Sequence, residues 1–164
     1  VLQNIGNDVM KIEKLYDYIE MAEAVAKFLY DEFVSKSRSP FTFNDVLEFM
    51  KKTNSDRMPI TYVAIEHNEC VGTVSLFEND LSTRMDLSPW LASLVVRYDC
   101  RKRGVGEKLI EYALNEAKSF GYKKLYLKTE KHGSFYSKRG WNYIGKGLDN
   151  YGHESDLYEH EILR

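Results

Sequence analysis

The stretch from Trp90 to Thr129 constrains the fold more than any other part of this chain. It opens with an apolar run, Trp90 to Val96, and then turns through Arg101-Lys102-Arg103-Gly104-Val105-Gly106. An amphipathic pattern follows to Phe120. Val105, Leu109, Ala113, Leu114 and Ala117 recur at helical spacing, and Gly121 stands where a helix C′ residue belongs. Lys123 to Thr129 then alternates as a strand, with Leu125 and Leu127 on one side and Tyr126 on the other. Strand, turn, helix and strand in that order predict a right-handed parallel crossover. A parallel pair buries both faces, so the rest of the chain must supply more sheet and more helix to cover it.

The turn also carries chemistry. A helix N-terminus has unpaired backbone N–H groups and the positive end of the macrodipole, and it binds phosphate well. Glycines at 104 and 106 let a ligand approach the backbone, because no Cβ stands in the way. The spacing is not that of a Walker loop, and Leu109 stands where a dinucleotide fingerprint needs its third glycine. What remains is R-x-x-G-x-G behind a buried strand, which points to another phosphate-bearing cofactor. The competing reading is a basic helix start with no ligand. A third reading takes the basic residues from Arg97 to Lys108 as a nucleic-acid stripe. The net charge of −2 and the lack of interleaved aromatics weigh against it.

The remaining elements follow from periodicity and turn chemistry. Val9 to Leu15 reads as a first strand. Ile19, Ala22, Ala26, Leu29 and Phe33 fall on one helical stripe, which Ser39-Pro40 ends. Thr42 with Asp45 predicts a capping box, opening a second helix with Val46, Leu47 and Met50 on its inner face. Ile60 to Ile65 and Val71 to Phe77 form a hairpin whose turn uses Asn68 in the left-handed region. Glu78 to Ser88 is a polar loop. Ser134 to Arg139 makes one or two helical turns, and Trp141–Ile144 with Asp156–Ile162 forms a last hairpin. The expected order is β-α-α-β-β-β-α-β-α-β-β: an α/β (α+β) fold with a mixed central sheet of about seven strands and helices on both faces.

At 164 residues the chain has the length of a single domain, 1–164, with enough core to fold alone. It begins at Val1, so residues 1–9 read as a loose or vector-derived start, with Met10 as a natural beginning. No apolar run is long enough for a membrane span, and no signal-peptide core is present. Cys70 and Cys100 make neither a metal motif nor a disulfide framework, so a reduced cytoplasmic setting is expected. His67, His132, His153 and His160 form no ligand cluster with them, and no metal is expected.

Three segments in order resemble one family. Pro89-Trp90-Leu91-Ala92-Ser93-Leu94-Val95-Val96 is similar to the fourth strand of bacterial GNAT-superfamily N-acetyltransferases. Arg101 to Gly106 lies at the family spacing of the acetyl-CoA pyrophosphate loop. Ser134-Phe135-Tyr136-Ser137-Lys138-Arg139-Gly140-Trp141 resembles the F-Y-x-x-x-G-[FW] segment, and Tyr151-Gly152 fits one bacterial subgroup. The element order matches from about Val9 onward. Tyr98 replaces a frequent proline, Cys100 a frequent aromatic, and no Asn stands near Gly133-Ser134, where many members contact the pantetheine arm.

The resemblance implies splayed fourth and fifth strands, with backbone groups of Leu94, Val95 and Val96 pairing with the pantetheine arm. The Leu94 N–H would polarise the thioester carbonyl. Side chains of Leu94 and Val96 are expected in the core. Lys102, Arg103, Gly104, Val105 and Gly106 would offer N–H groups to the pyrophosphate, with Arg101 and Arg103 adding charge. Ser134 and Tyr136 would lie along the cofactor, with Tyr136 as general acid toward the leaving thiolate. The resemblance implies acetyl-CoA as co-substrate and a primary amine of a small molecule or peptide as acceptor, in a monomer or homodimer with no nucleic-acid or membrane partner. Glu130, Asp86, Glu78 and Asp80 are the candidate bases, with a water as a further choice. An acetyl-CoA-binding regulatory protein without catalysis is the alternative, since no carboxylate lies between Leu87 and Val96.

Overall fold

A computed structural model describes residues 9–162. Most of the stretch expected to be a loose start therefore lies outside the described residues. The chain divides into two compact units. One holds the chain up to Ser75 together with Ser93–Ile110, and the other holds Leu76–Ala92 together with Glu111 onward.

In the first unit, β1 (Lys11–Lys14) pairs antiparallel with β2 (Ile60–Glu66), Lys11 opposite Ile65. A two-residue turn joins β2 to β3 (Glu69–Phe77). His67 and Asn68 both adopt positive φ, 52° and 62°, as the tight hairpin turn requires. The strand from Val9 is shorter than expected, starting at Lys11. Residues Leu15–Met21 wind as a 3₁₀ segment interrupted at Tyr18, and α1 runs only over Ala22–Leu29. A π turn follows at Tyr30–Val34. These departures correct the expected stripe. Ile19 and Phe33 are 46% and 48% exposed, because 3.0 and about 4.4 residues per turn carry both off a 3.6-residue face. Ala22, Val25, Ala26 and Leu29 are buried as α1's inner face.

Helix α2 (Phe43–Lys51) begins with the capping box in full: the Asp45 N–H donates to Thr42 Oγ1 at 3.1 Å and the Thr42 N–H donates to Asp45 Oδ2 at 2.8 Å. Met50 is buried with Val63, Ile65, Cys70 and Val95, and Val46 and Leu47 pack against that cluster. Gly72 stands close to the first turns of α3 (Val105–Ser119). A Cβ at position 72 would meet Leu109 Cδ1 and the Val95 carbonyl, each at 3.1 Å. Only a glycine lets this strand and helix approach so closely.

In the second unit, β4 (Trp90–Val96) starts parallel to β5 (Lys124–Thr129), with Trp90 opposite Tyr126. β5 pairs antiparallel with β7 (Glu154–Glu161), and β7 with β6 (Asn142–Leu148), with a bulge between Tyr143 and Gly145. The last hairpin is thus longer than expected. The Asp149 carboxylate closes its turn by accepting from the Tyr151 and His153 N–H groups, both at 2.8 Å. Leu125 and Leu127 are buried, and Tyr126 takes the other side against Trp90, as the alternation predicts. Helix α3 ends in a Schellman motif: the Tyr122 N–H reaches Ala117 O at 3.1 Å and Gly121, at φ 88°, reaches Lys118 O at 2.9 Å. β4 is shared by the two units, and the full strand order is β1-β2-β3-β4-β5-β7-β6, a mixed seven-stranded sheet.

Candidate active site

The sequence-predicted site residues fall into two groups, one in each unit. The first group is β4's second half, the turn and the start of α3. Ser93 takes φ 56° inside β4, a left-handed residue in the middle of a strand. Such a residue breaks the pleat and re-aims the backbone groups after it, here those of Leu94. It also shifts the burial pattern. Val95 is buried, whereas Leu94 and Val96, expected in the core, are only half-buried. The registered pair with β5, Trp90 with Tyr126, lies before the kink.

Past β4, Arg97 N–H donates to Val71 O at 2.8 Å and a 3₁₀ turn over Tyr98–Cys100 leads into the loop. Lys102 and Gly104 both adopt positive φ, 63° and 82°. The first bond of α3 runs from the Lys108 N–H to Gly104 O at 3.1 Å. The N–H groups of Val105 and Gly106 precede it and have no acceptor inside the helix. A Cβ built at Gly104 would meet nothing within 4 Å, so the approach to these donors is open. Open, unsatisfied N–H groups at the positive end of a 15-residue helix fit a pyrophosphate.

The arginine side chains are engaged within the protein. Arg101 Nε donates to Val96 O at 3.0 Å, and its Nη2 lies 3.7 Å from Glu32. Arg103 Nη2 donates to both Glu66 oxygens at 2.9 Å. Arg97 is held by Glu69 and Asp99. Lys102, between Arg101 and Arg103, is exposed and has no carboxylate partner among the described residues.

The second group sits on α4 (Gly133–Ser137) and the strands it packs on. Tyr136 is 8% exposed, with ring contacts to Phe135, Trp141 and Tyr158. Burial pushes its phenol up to about 12. Among the described residues, none accepts from its hydroxyl. Gly133 is required at the start of α4, since a Cβ there would overlap the Tyr158 hydroxyl. Ser134 is exposed.

The four candidate bases stand in different environments. Asp86 accepts two bonds from Arg84 at 2.9 Å each, which holds its carboxyl below the usual range. Glu130 Oε1 lies 3.4 Å from His153 Nδ1. Glu78 is exposed. Asp80 is half-buried, and burial raises it to about 6 against the opposing charge of Lys128. Among the described residues no group of three His, Cys, Asp or Glu side chains is placed to hold a metal ion, and no helix is long and apolar enough to cross a membrane. The left-handed Ser93 and the Arg101–Glu32 and Arg103–Glu66 pairs left no sign in local sequence. Ser has no special left-handed preference, and ion partners far apart in the chain have no pattern to read.

Comparison with known proteins agrees with this construction. The acetyltransferase (GNAT) family model matches residues 23–141. An aminoglycoside 6′-N-acetyltransferase complexed with coenzyme A is 19% identical with a TM-score of 0.73, over 94% of this chain and 98% of that one. An N-acetyltransferase from Staphylococcus aureus Mu50 is 15% identical with a TM-score of 0.74, over 94% and 99%. An acetyltransferase of the GNAT family from Streptococcus pneumoniae is 19% identical with a TM-score of 0.66, over 94% and 100%. At these identities the structures speak for the fold. The family match covers well over half of the sequence, so the chain belongs to the acetyltransferase (GNAT) family, with acetyl-CoA as its co-substrate.

Proposed function

We propose that this protein transfers the acetyl group of acetyl-CoA directly to a primary amine of a small molecule or peptide. The observation that carries the reading is the open start of α3, where the Val105 and Gly106 N–H groups stand beyond the left-handed Gly104. Acetyl-CoA supplies an activated acyl group, and the protein's residues do the rest. Lys102 to Gly106 hold the pyrophosphate through backbone N–H groups. Backbone groups of Leu94, Val95 and Val96 pair with the pantetheine arm, and the Leu94 N–H donates to the carbonyl oxygen as it gains negative charge. Ser134 and Tyr136 lie along the thiol end.

In the chemical step the amine nitrogen forms a bond to the acyl carbon and the carbon–sulfur bond breaks. Tyr136 stabilises the departing thiolate. A thiol of this kind has a pKa near ~8.5, well below the value of about 12 to which burial raises Tyr136. The phenol therefore keeps its proton and donates a strong hydrogen bond to sulfur. An ammonium acceptor also needs a base. Asp80 suits this best of the four carboxylates, because its raised value lies nearest to neutrality and no arginine holds it. A nucleic-acid role gains no support from the loop, whose arginines are matched by Glu32, Glu66, Glu69 and Asp99.

The test is calorimetric titration with acetyl-CoA, with ATP and NAD as controls, followed by turnover against an amine panel. Selective micromolar binding and acetylation of at least one amine are expected. Tyr136→Phe lowers kcat by ~10²-fold or more while leaving the affinity for acetyl-CoA in place. Absence of binding overturns the reading. Binding without turnover of any amine returns the protein to a cofactor-sensing role.

A further inference from the structure

The phosphate loop carries four basic side chains between Arg97 and Arg103, and they are not equivalent. Arg97 bonds Glu69 at 2.9 Å and Asp99 at 2.7 Å. Arg101 reaches back to the Val96 carbonyl at 3.0 Å, faces Glu32 at 3.7 Å and lies over the Tyr98 ring. Arg103 meets both oxygens of Glu66, 37 positions away in the chain. Lys102 alone of the four has no carboxylate partner among the described residues, and its left-handed φ of 63° sets it apart from its neighbours.

Exposed ion pairs contribute little in general. The Arg103–Glu66 pair differs in two respects. The Glu66 side chain is only 13% exposed, so its carboxylate is largely withdrawn from water. It ends β2 beside the tight His67-Asn68 turn, so it is held on a rigid element. Arg103 keeps the Glu66 carboxyl below its ordinary range by hydrogen bonding, and its own value rises in turn. A guanidinium satisfied in this way is a poor phosphate ligand, because turning to a phosphate would strand a mostly buried carboxylate.

We propose that Arg103 is a positioning residue, strapping the phosphate loop to the end of β2 through Glu66, and that Lys102 is the side chain that meets the phosphates of the cofactor. Arg101, tied to Val96 and Glu32, braces the other side of the same loop. The inference rests on the acetyl-CoA reading above and divides the labour within that loop: arginines shape it, and backbone N–H groups and one lysine bind.

Glu66→Gln separates this from the opposite reading by sign. If Arg103 is a strap, releasing it loosens the loop and weakens coenzyme A binding, by roughly three- to tenfold, as loss of one charge-assisted bond does. If Arg103 is instead a phosphate ligand held in check by Glu66, the same substitution tightens binding. The charge swap Glu66→Arg with Arg103→Glu restores affinity under the strap and abolishes it under the ligand reading. Lys102→Ala weakens binding by roughly tenfold and flattens its dependence on salt, since one screened charge contact is gone. Unchanged affinity in Lys102→Ala, or tighter binding in Glu66→Gln, overturns the proposal. Should Glu66→Gln fail to fold, Arg103→Lys carries the test. It keeps the charge and loses the fork, so the strap predicts weaker binding with an unchanged salt slope, and retained affinity refutes it. All of these are read by calorimetry against the unsubstituted protein. Failure of that protein to bind coenzyme A would sink the acetyl-CoA reading instead.

Discussion

At the scale of single residues, burial sets the chemistry of Tyr136 and Asp80. Both are displaced upward, to about 12 and about 6, and in both the main cause is loss of water around the charged form. For Asp80 this has a consequence for stability. Its folded value of about 6 lies above the ordinary 3.8, so between these values the folded chain holds a proton that the unfolded chain has released. Stability from this group is therefore present below about pH 4 and is lost as pH rises through about 6. Asp80→Asn removes the loss and should stabilise the fold at pH 7 by about 2–3 kcal/mol, with no gain near pH 4. Urea unfolding at the two pH values checks this; equal gains at both would show that burial of charge is not the cause. Neither displacement was legible in sequence. Asp80 stood among four equivalent loop carboxylates and Tyr136 among 12 tyrosines, and only burial distinguishes them.

At the scale of elements, local signals proved reliable wherever they were stereochemical. Thr42 and Asp45 cap α2 reciprocally, Gly121 ends α3 in a left-handed turn, and His67-Asn68 closes the β2–β3 hairpin. Each of these is decided by atoms within a few residues. Thr42→Ala should destabilise the protein by about 1 kcal/mol, because it frees one donor of α2's first turn. Thermal unfolding would reveal it, and an unchanged midpoint would mean that α2 is held by packing alone. Signals failed where the backbone changed its period. The stripe from Ile19 to Phe33 presumes 3.6 residues per turn, whereas the chain begins with a 3₁₀ segment and ends with a π turn. The kink at Ser93 likewise had no sequence sign.

At the scale of the whole molecule, a co-substrate that binds only the folded chain must stabilise it. Coenzyme A at 100 times its Kd should raise stability by about 2.7 kcal/mol and the melting midpoint by roughly 5–10 °C for a chain of this size. A thermal scan with and without coenzyme A measures this, with ATP as control. No shift would contradict binding at the α3 start. The strand order itself, β1-β2-β3-β4-β5-β7-β6, followed from the parallel crossover and the two hairpins that the sequence predicts.

Sequence alone determined the elements, their order, the family resemblance and the glycine turn at the head of α3. These depend on periodicity, capping and backbone freedom, which act over a few neighbouring residues. Tertiary structure alone decided which cations of the turn are already paired, where β4 kinks, and which of four carboxylates loses its water. Those outcomes depend on partners far apart in the chain, Glu66 with Arg103 and Glu32 with Arg101, and on solvent exclusion that no local pattern encodes.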